Sequence, residues 1–116
     1  MSERTDEDFL TDIQEAINRI TKYTAGITYT DFLADTKTQD AVIRNLEIIG
    51  EATKNISGDL RDFYKEVPWK SMAGIRDRLI HDYFGVNLDI VWQVGVTELP
   101  GVALSIEEIL RRESTG

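Results

Sequence analysis

The chain has 116 residues, 41% of them hydrophobic, and its 21 acidic and 13 basic side chains give a formal net charge of −8. The absence of cysteine excludes disulfide scaffolds, thiolate zinc sites and thiol nucleophiles. No window of 18 apolar residues occurs and the acidic N-terminus lacks a signal pattern, so we expect a cytoplasmic protein with no membrane span, folded as one domain over residues 1–116.

The N-terminal half predicts two long helices. Thr5 is a suitable N-cap for the first, over residues 6–23, which ends before Gly26. Residues 24–37 show no sustained period, which favours a turn or one helical turn. Thr38 is expected to cap the second helix. The apolar stripes are Phe9, Ile13, Ala16, Ile17 and Ile20 in the first helix, and Ala41, Val42, Leu46, Ile48, Ile49 and Ala52 in the second.

The second helix is expected to end near Ser57-Gly58, with glycine as the terminator. Asp59 then begins a short helix that runs to about Val67 and buries Leu60 and Phe63. Pro68 closes this helix because the residue before a proline is disfavoured in helical geometry.

Three features predict the C-terminal helices. A helix begins at Pro68-Trp69-Lys70 and ends near Gly85, Asn87 caps the next one, and Pro100 suits the first turn of the last. Strand-like alternation is absent outside Ile27–Tyr29, so we predict an all-α, antiparallel bundle of four to six helices. The residues expected to face inward are Met72, Ile75, Leu79 and Ile80, then Leu88, Val91, Trp92, Val94 and Gly95, then Val102, Leu104, Ile106 and Leu110.

The basic side chains are concentrated in one stretch. Residues 61–81 hold five basic and three acidic side chains, a net of +2, whereas residues 1–60 carry −6 and residues 82–116 carry −4. The stretch also contains His81, the only histidine. We therefore expect a local phosphate-binding site and no general coating of nucleic acid by this protein.

This stretch holds the motif Arg76-x4-His81-x-Tyr83. At about 100° per residue, a helix would place Arg76 and Tyr83 almost in line and His81 about 140° away from Arg76. A straight helix therefore cannot direct Arg76 and His81 at one atom. Either the helix loosens before Gly85, or two copies of the segment face each other across a two-fold axis.

An arginine and a histidine are the minimum set of side chains for RNA cleavage without a metal or cofactor. An imidazole with a pKa near about 6.5 can take a proton from a 2′-hydroxyl or return one to the leaving oxygen. A guanidinium neutralises charge that develops on the phosphate. Asp77 could orient either side chain or hold a water molecule.

Structural interpretations of the same residues are also open. His81 could compensate a helix dipole, Arg78 and Asp82 fit an ordinary i,i+4 ion pair, and Tyr83 could be a core aromatic. Gly50 suggests a close approach of two helices. Glu51 could be a buried hydrogen-bond partner or a site residue, with a structural role favoured because buried acids are scarce.

The motif resembles the RX4HXY signature of HepT-like toxins, a branch of the HEPN superfamily of helical ribonucleases. The run Ala41–Ala52, with its Ile49-Gly50-Glu51-Ala52 segment, is similar to the second-helix signature of that family. Pro68-Trp69 before the motif and Asp89–Trp92 after it are similar as well. The resemblance extends over roughly residues 5–112.

This resemblance implies a homodimeric toxin of a two-gene toxin–antitoxin module, with the motif in a cleft between protomers. Arg76 and His81 would be the ribonuclease pair, and Asp77 would be the polar residue that often follows the arginine. Tyr83 would receive AMP from the partner, a minimal nucleotidyltransferase antitoxin. The implied substrate is RNA, with tRNA favoured over mRNA.

Three classes of function follow. The first is a metal-independent endoribonuclease silenced by AMPylation of Tyr83. The second is a non-catalytic helical module that docks a nucleotidyltransferase, which the net charge of −8 favours slightly. The third is a helical partner that completes a nucleotidyltransferase acting on small molecules. The intact Arg76/His81 pair favours the first.

Overall fold

The computed structural model describes residues 3–80 and 85–115, in which helices are joined by turns and one isolated β-bridge. The predicted all-α class is confirmed for this part of the chain. The helices are α1 (Asp6–Thr24), α2 (Tyr29–Leu33), α3 (Thr36–Lys54), α4 (Gly58–Phe63), α5 (Trp69–Ala73), α6 (Ile75–Leu79), α7 (Leu88–Trp92), a π-helical segment (Gln93–Glu98) and α8 (Leu99–Thr115).

The N-terminus of α1 is capped as predicted. The Thr5 hydroxyl accepts a hydrogen bond from the Asp8 amide at 3.2 Å, and the Asp8 carboxylate accepts one from the Thr5 amide at 2.9 Å. These reciprocal bonds form a capping box, which satisfies amides that the first helical turn leaves without partners. Beyond the end of the helix, Gly26 has a φ of +76°, a conformation that favours glycine.

The start of α3 differs from the prediction. Asp35 is the N-cap, and Thr38 lies within the first turn, where its amide donates to Asp35 Oδ1 at 3.1 Å. The Thr38 hydroxyl also donates to Asp35 Oδ2 at 2.6 Å, and this bond is the main reason that the pKa of Asp35 is lowered. An aspartate three residues earlier therefore takes the capping role assigned to Thr38.

The α3–α4 connection and α4 differ from three predictions. Helix α3 ends at Lys54, and Ser57, expected at its end, instead caps α4 by accepting from the Leu60 amide at 3.2 Å. Helix α4 ends at Phe63, short of Val67. Phe63 was expected inside but is 71% exposed, because the chain leaves helical geometry at Tyr64 and that ring is buried instead.

Helices α1, α3 and α8 form the body of an antiparallel bundle. Asp6, at the start of α1, accepts hydrogen bonds from the amide and hydroxyl of Ser57, just beyond the end of α3, at 2.8 and 2.6 Å. The Tyr64 hydroxyl donates to Glu113, near the end of α8, at 2.7 Å. The fully buried core includes Leu10, Ile13, Ile17, Ile20, Phe32, Leu46, Ile49, Ile56, Ile75, Leu79, Leu99 and Ile106.

The C-terminal helices form one continuous helical segment. Asn87 caps α7 as predicted, accepting from the amides of Asp89 and Ile90 at 3.0 and 3.2 Å. The backbone remains helical at Gln93 and at Leu99, so the two predicted helices are joined through the π-helical segment. Leu104, predicted to face inward, is 70% exposed, because residues two positions from Val102 and Ile106 lie on the other side of a helix.

Candidate active site

The described part of the motif begins with Arg76 in the short helix α6, which directly follows the equally short α5. Gly74 separates them and is both the C-cap of α5 and the N-cap of α6. Both helices pack against α3. The buried side chains that anchor them are Trp69, Met72, Ile75 and Leu79.

The helix expected to reach Gly85 ends at Leu79. Ile80 has extended geometry, with φ −86° and ψ 129°, and forms an isolated antiparallel bridge with Val86. The Leu79 carbonyl accepts a hydrogen bond from the Asn87 amide at 2.7 Å. Ile80 is 48% exposed, so its predicted inward position is wrong, because it lies beyond the last helical turn.

His81, Asp82 and Tyr83 lie outside the described residues. Because helical geometry ends at Leu79, the 100° step per residue does not carry through to these positions. The predicted alignment of Arg76 and Tyr83 assumed one continuous helix, so it no longer follows from helical geometry. Helical geometry thus ends before Gly85, whereas the choice between the two alternatives depends on His81, which lies outside the described residues.

Arg76 lies in a cleft between α3 and the α5–α6 pair. The cleft has a volume of about 200 Å³. Arg76 itself is exposed, and its side chain makes no hydrogen bond or ion pair with any described residue. Its guanidinium can therefore form the bidentate bonds that arginine makes with phosphate oxygens. The other lining residues are Arg44, Glu47, Gly50, Glu51 and Lys54 from α3, and Ala73.

Gly50 brings the two walls of the cleft together. A Cβ atom at this position would lie 3.4 Å from the Met72 carbonyl oxygen and 3.8 Å from that of Ala73, within van der Waals contact of the α5 backbone. This supports the predicted close approach of two helices. Glu51 is exposed and lines the cleft, so the interpretation as a buried hydrogen-bond partner is wrong.

Arg78 has a structural role. Its guanidinium binds the Glu98 carboxylate through two nitrogens at 3.2 and 3.1 Å, and also donates to the Ser71 hydroxyl at 3.1 Å. These bonds tie α6 to the π-helical segment. The partners observed for Arg78 are thus Glu98 and Ser71, whereas the predicted partner Asp82 lies outside the described residues. Asp77 is exposed, with no hydrogen bond to a described side chain.

The family model that describes HepT-like ribonucleases matches residues 13–109, most of the chain. The chain belongs to the HepT-like ribonuclease family. The resemblance in the motif is therefore confirmed at the level of the family.

This HepT-like chain has relatives in archaea and bacteria. It is 48% identical over 103 residues to a protein of Methanocaldococcus jannaschii provisionally named an RNase, covering 89% of this chain and 85% of the relative. It is 47% identical over 106 residues to the probable ribonuclease HepT of Thermococcus cleftensis, covering 91% and 96%. A provisionally named RNase of Caldanaerobacter subterraneus is 40% identical over 110 residues, covering 95% and 98%. No solved structure is significantly similar.

Sequence reasoning placed Arg76 at the site but missed the facing wall of the HepT-like cleft. Arg44, Glu47 and Lys54 lie seven, four and three residues from Glu51, so they share its helix face. That spacing could have identified the four residues as one helix face, but it does not indicate which helix packs opposite that face.

Within residues 3–80 and 85–115, no three histidine or carboxylate groups are placed to hold a metal ion, and no helix is long and apolar enough to cross a membrane.

Proposed function

We propose that this HepT-like protein is a metal-independent endoribonuclease, the toxin of a toxin–antitoxin module, with tRNA as its preferred substrate. The observation that carries the proposal is the exposed Arg76, which lines a cleft and has no ion-pair partner among the described residues. Family membership supports the same reaction class.

The proposed reaction needs no nucleophile from the protein. The 2′-hydroxyl oxygen of the RNA attacks the adjacent phosphorus, and the bond from phosphorus to the 5′-oxygen breaks. His81 moves a proton, either taking it from the 2′-hydroxyl or returning it to the leaving 5′-oxygen. Arg76 stabilises the negative charge that develops on the phosphate, and Asp77 orients one of these side chains or a water molecule.

The proposed active form is a cytoplasmic homodimer of single-domain protomers, as the motif resemblance implies. A two-fold arrangement would place the α5–α6 pair of one protomer beside its equivalent in the other. The location of the Arg76 cleft on the protein surface supports this arrangement, because the cleft is open to a second molecule.

His81 provides the first test of this proposal. Unmodified protein should cleave RNA in the presence of EDTA, and His81→Ala should lower the rate by about 10²–10⁴-fold because proton transfer is lost. Single-turnover cleavage of a labelled tRNA measures this effect. An unchanged rate in His81→Ala would refute the assigned role, and no cleavage by any unmodified form would favour the non-catalytic module that docks a nucleotidyltransferase.

We further propose that the nucleotidyltransferase antitoxin silences the toxin through Tyr83. The phenol oxygen would bond to the α-phosphorus of ATP, pyrophosphate would leave, and the phenol would lose its proton. Tyr83 lies three residues from Ile80, within about 11 Å of extended chain. Ile80, directly after α6, pairs with Val86, so the described residues on both sides of this part of the motif lie near α6, and we propose that the added phosphate binds Arg76.

Mass spectrometry tests this modification. Incubation with the antitoxin and ATP should add one or more AMP masses to the wild-type chain and none to Tyr83→Phe. Tyr23→Phe is the matched control, because Tyr23 is 39% exposed and lies at the far end of α1 from the Thr5 cap. Labelling that persists in Tyr83→Phe would contradict the assignment.

A further inference from the structure

A second, larger concavity also borders α5. This groove has a volume of about 1110 Å³ and runs along α4, the α4–α5 connection and α5. The cations that line it are Arg61, Lys65, Lys70 and Arg78, and Asp62 is the one acid among its described lining residues. These residues sum to +3, so the rest of a chain of net charge −8 carries −11.

Three of the four cations are not neutralised within the described part of the protein. Lys65 and Lys70 are exposed, and their ammonium groups form no ion pair there. The Nε atom of Arg61 is buried without a hydrogen-bond partner among the described residues. The guanidinium of Arg61 also forms no ion pair with a described residue, so its charge is available to an anion in the groove. Arg78 differs, because Glu98 binds it through two bonds.

The groove adjoins the Arg76 cleft. Ala73, at the end of α5, lines both concavities. A chain of linked anions that follows the groove as far as Ala73 therefore reaches the edge of the Arg76 cleft. An acidic protein surface would also suit the groove, but continuity with the cleft favours a strand whose successive phosphates contact both.

We propose that the groove binds the sugar–phosphate backbone of the RNA on one side of the scissile phosphate. This inference rests on the proposed ribonuclease function and adds to it the path of the substrate. Lys65, Lys70 and Arg61 contact the phosphates, and the acidic remainder of the surface repels the strand elsewhere.

A matched pair of double variants tests the groove. The probe is a fluorescent 2′-O-methyl RNA oligonucleotide, which cannot be cleaved by attack of its own 2′-oxygen, with binding followed by anisotropy at several salt concentrations. In Lys65→Gln/Lys70→Gln, Kd should rise on the order of tenfold at 0.1 M salt, and the slope of log Kd against log salt should fall by about 1.4, since each single-strand phosphate contact contributes about 0.7. The control, Lys22→Gln/Lys37→Gln, removes the same charge from exposed lysines outside the groove.

The outcomes separate this inference from the ribonuclease proposal. Equal Kd values in the two double variants, or no binding by the wild type, would overturn the groove assignment. Lysine-dependent binding without cleavage of unmodified RNA would support the groove and refute the ribonuclease function. Lysine-dependent binding of poly-glutamate, with no binding of the oligonucleotide, would assign the groove to an acidic protein and overturn the inference.

Discussion

Replacing Arg76 with alanine is expected to lower the rate of RNA cleavage by about 10²–10³-fold, the usual effect of removing one group that stabilises a developing oxyanion. The side chain is exposed and bonds to no described residue, so the free energy of unfolding should change by less than about 0.5 kcal/mol. Single-turnover cleavage and urea unfolding measure the two quantities. A large loss of activity in a fully stable protein is the expected combination.

Two further variants sharpen this result. Arg76→Lys keeps the charge but loses the planar fork, so its rate should lie between those of the wild type and Arg76→Ala. Arg19→Ala removes an arginine of α1 that pairs with Glu15 at 3.7 Å and lies outside the cleft, and it should cleave at the wild-type rate. If Arg19→Ala and Arg76→Ala lowered the cleavage rate equally, the decrease would follow from the change in net charge, which would contradict a specific role for Arg76.

The second large effect is expected at Leu79. This side chain is 2% exposed and, with Ile75, anchors the five-residue helix α6. Leu79→Ala should lower the free energy of unfolding by about 2–5 kcal/mol, as the loss of buried methyl groups leaves a cavity. Urea unfolding followed by circular dichroism measures the change.

The adjacent residue is the control. Ile80 has similar volume but is 48% exposed, so Ile80→Ala should cost less than about 1 kcal/mol. If the two variants lowered the free energy of unfolding by similar amounts, Ile80 would be as buried as Leu79. That result would contradict the end of α6 at Leu79 and favour the longer helix that apolar spacing alone predicts.

The long helices could be predicted from the sequence because their signals are redundant. In α1 the Thr5 cap, an acidic first turn and a regular apolar stripe all agree. The N-cap of α7 at Asn87 could also be predicted, because two signals agree there: a capping residue and the apolar run that follows it. The apolar residues whose burial was wrongly predicted are Phe63, Ile80 and Leu104. The orientation of Phe63 and Ile80 depends on where a helix ends, whereas the spacing from Val102 and Ile106 already places Leu104 on the other side of its helix.

The site was only partly predictable. The spacing of Arg76, His81 and Tyr83 indicates chemistry, because these residue types can bind a phosphate and move a proton. The end of α6 at Leu79 coincides with the Ile80–Val86 bridge, a contact that no local pattern shows, whereas the break at Gly74 has a local signal because glycine disfavours a helix interior. The cleft wall on α3 requires knowing that Gly50 meets the α5 backbone.

The ends of the RNA fragments test the central claim most directly. The substrate is a tRNA, in the presence of EDTA, and the protein is wild type shown by mass to carry no AMP. Attack by the 2′-hydroxyl predicts fragments ending in a 2′,3′-cyclic phosphate, partner fragments beginning with a 5′-hydroxyl, and no cleavage where the scissile nucleotide is 2′-deoxy. Fragments with 3′-hydroxyl and 5′-phosphate ends, or cleavage of the 2′-deoxy substrate, would contradict the proposed mechanism.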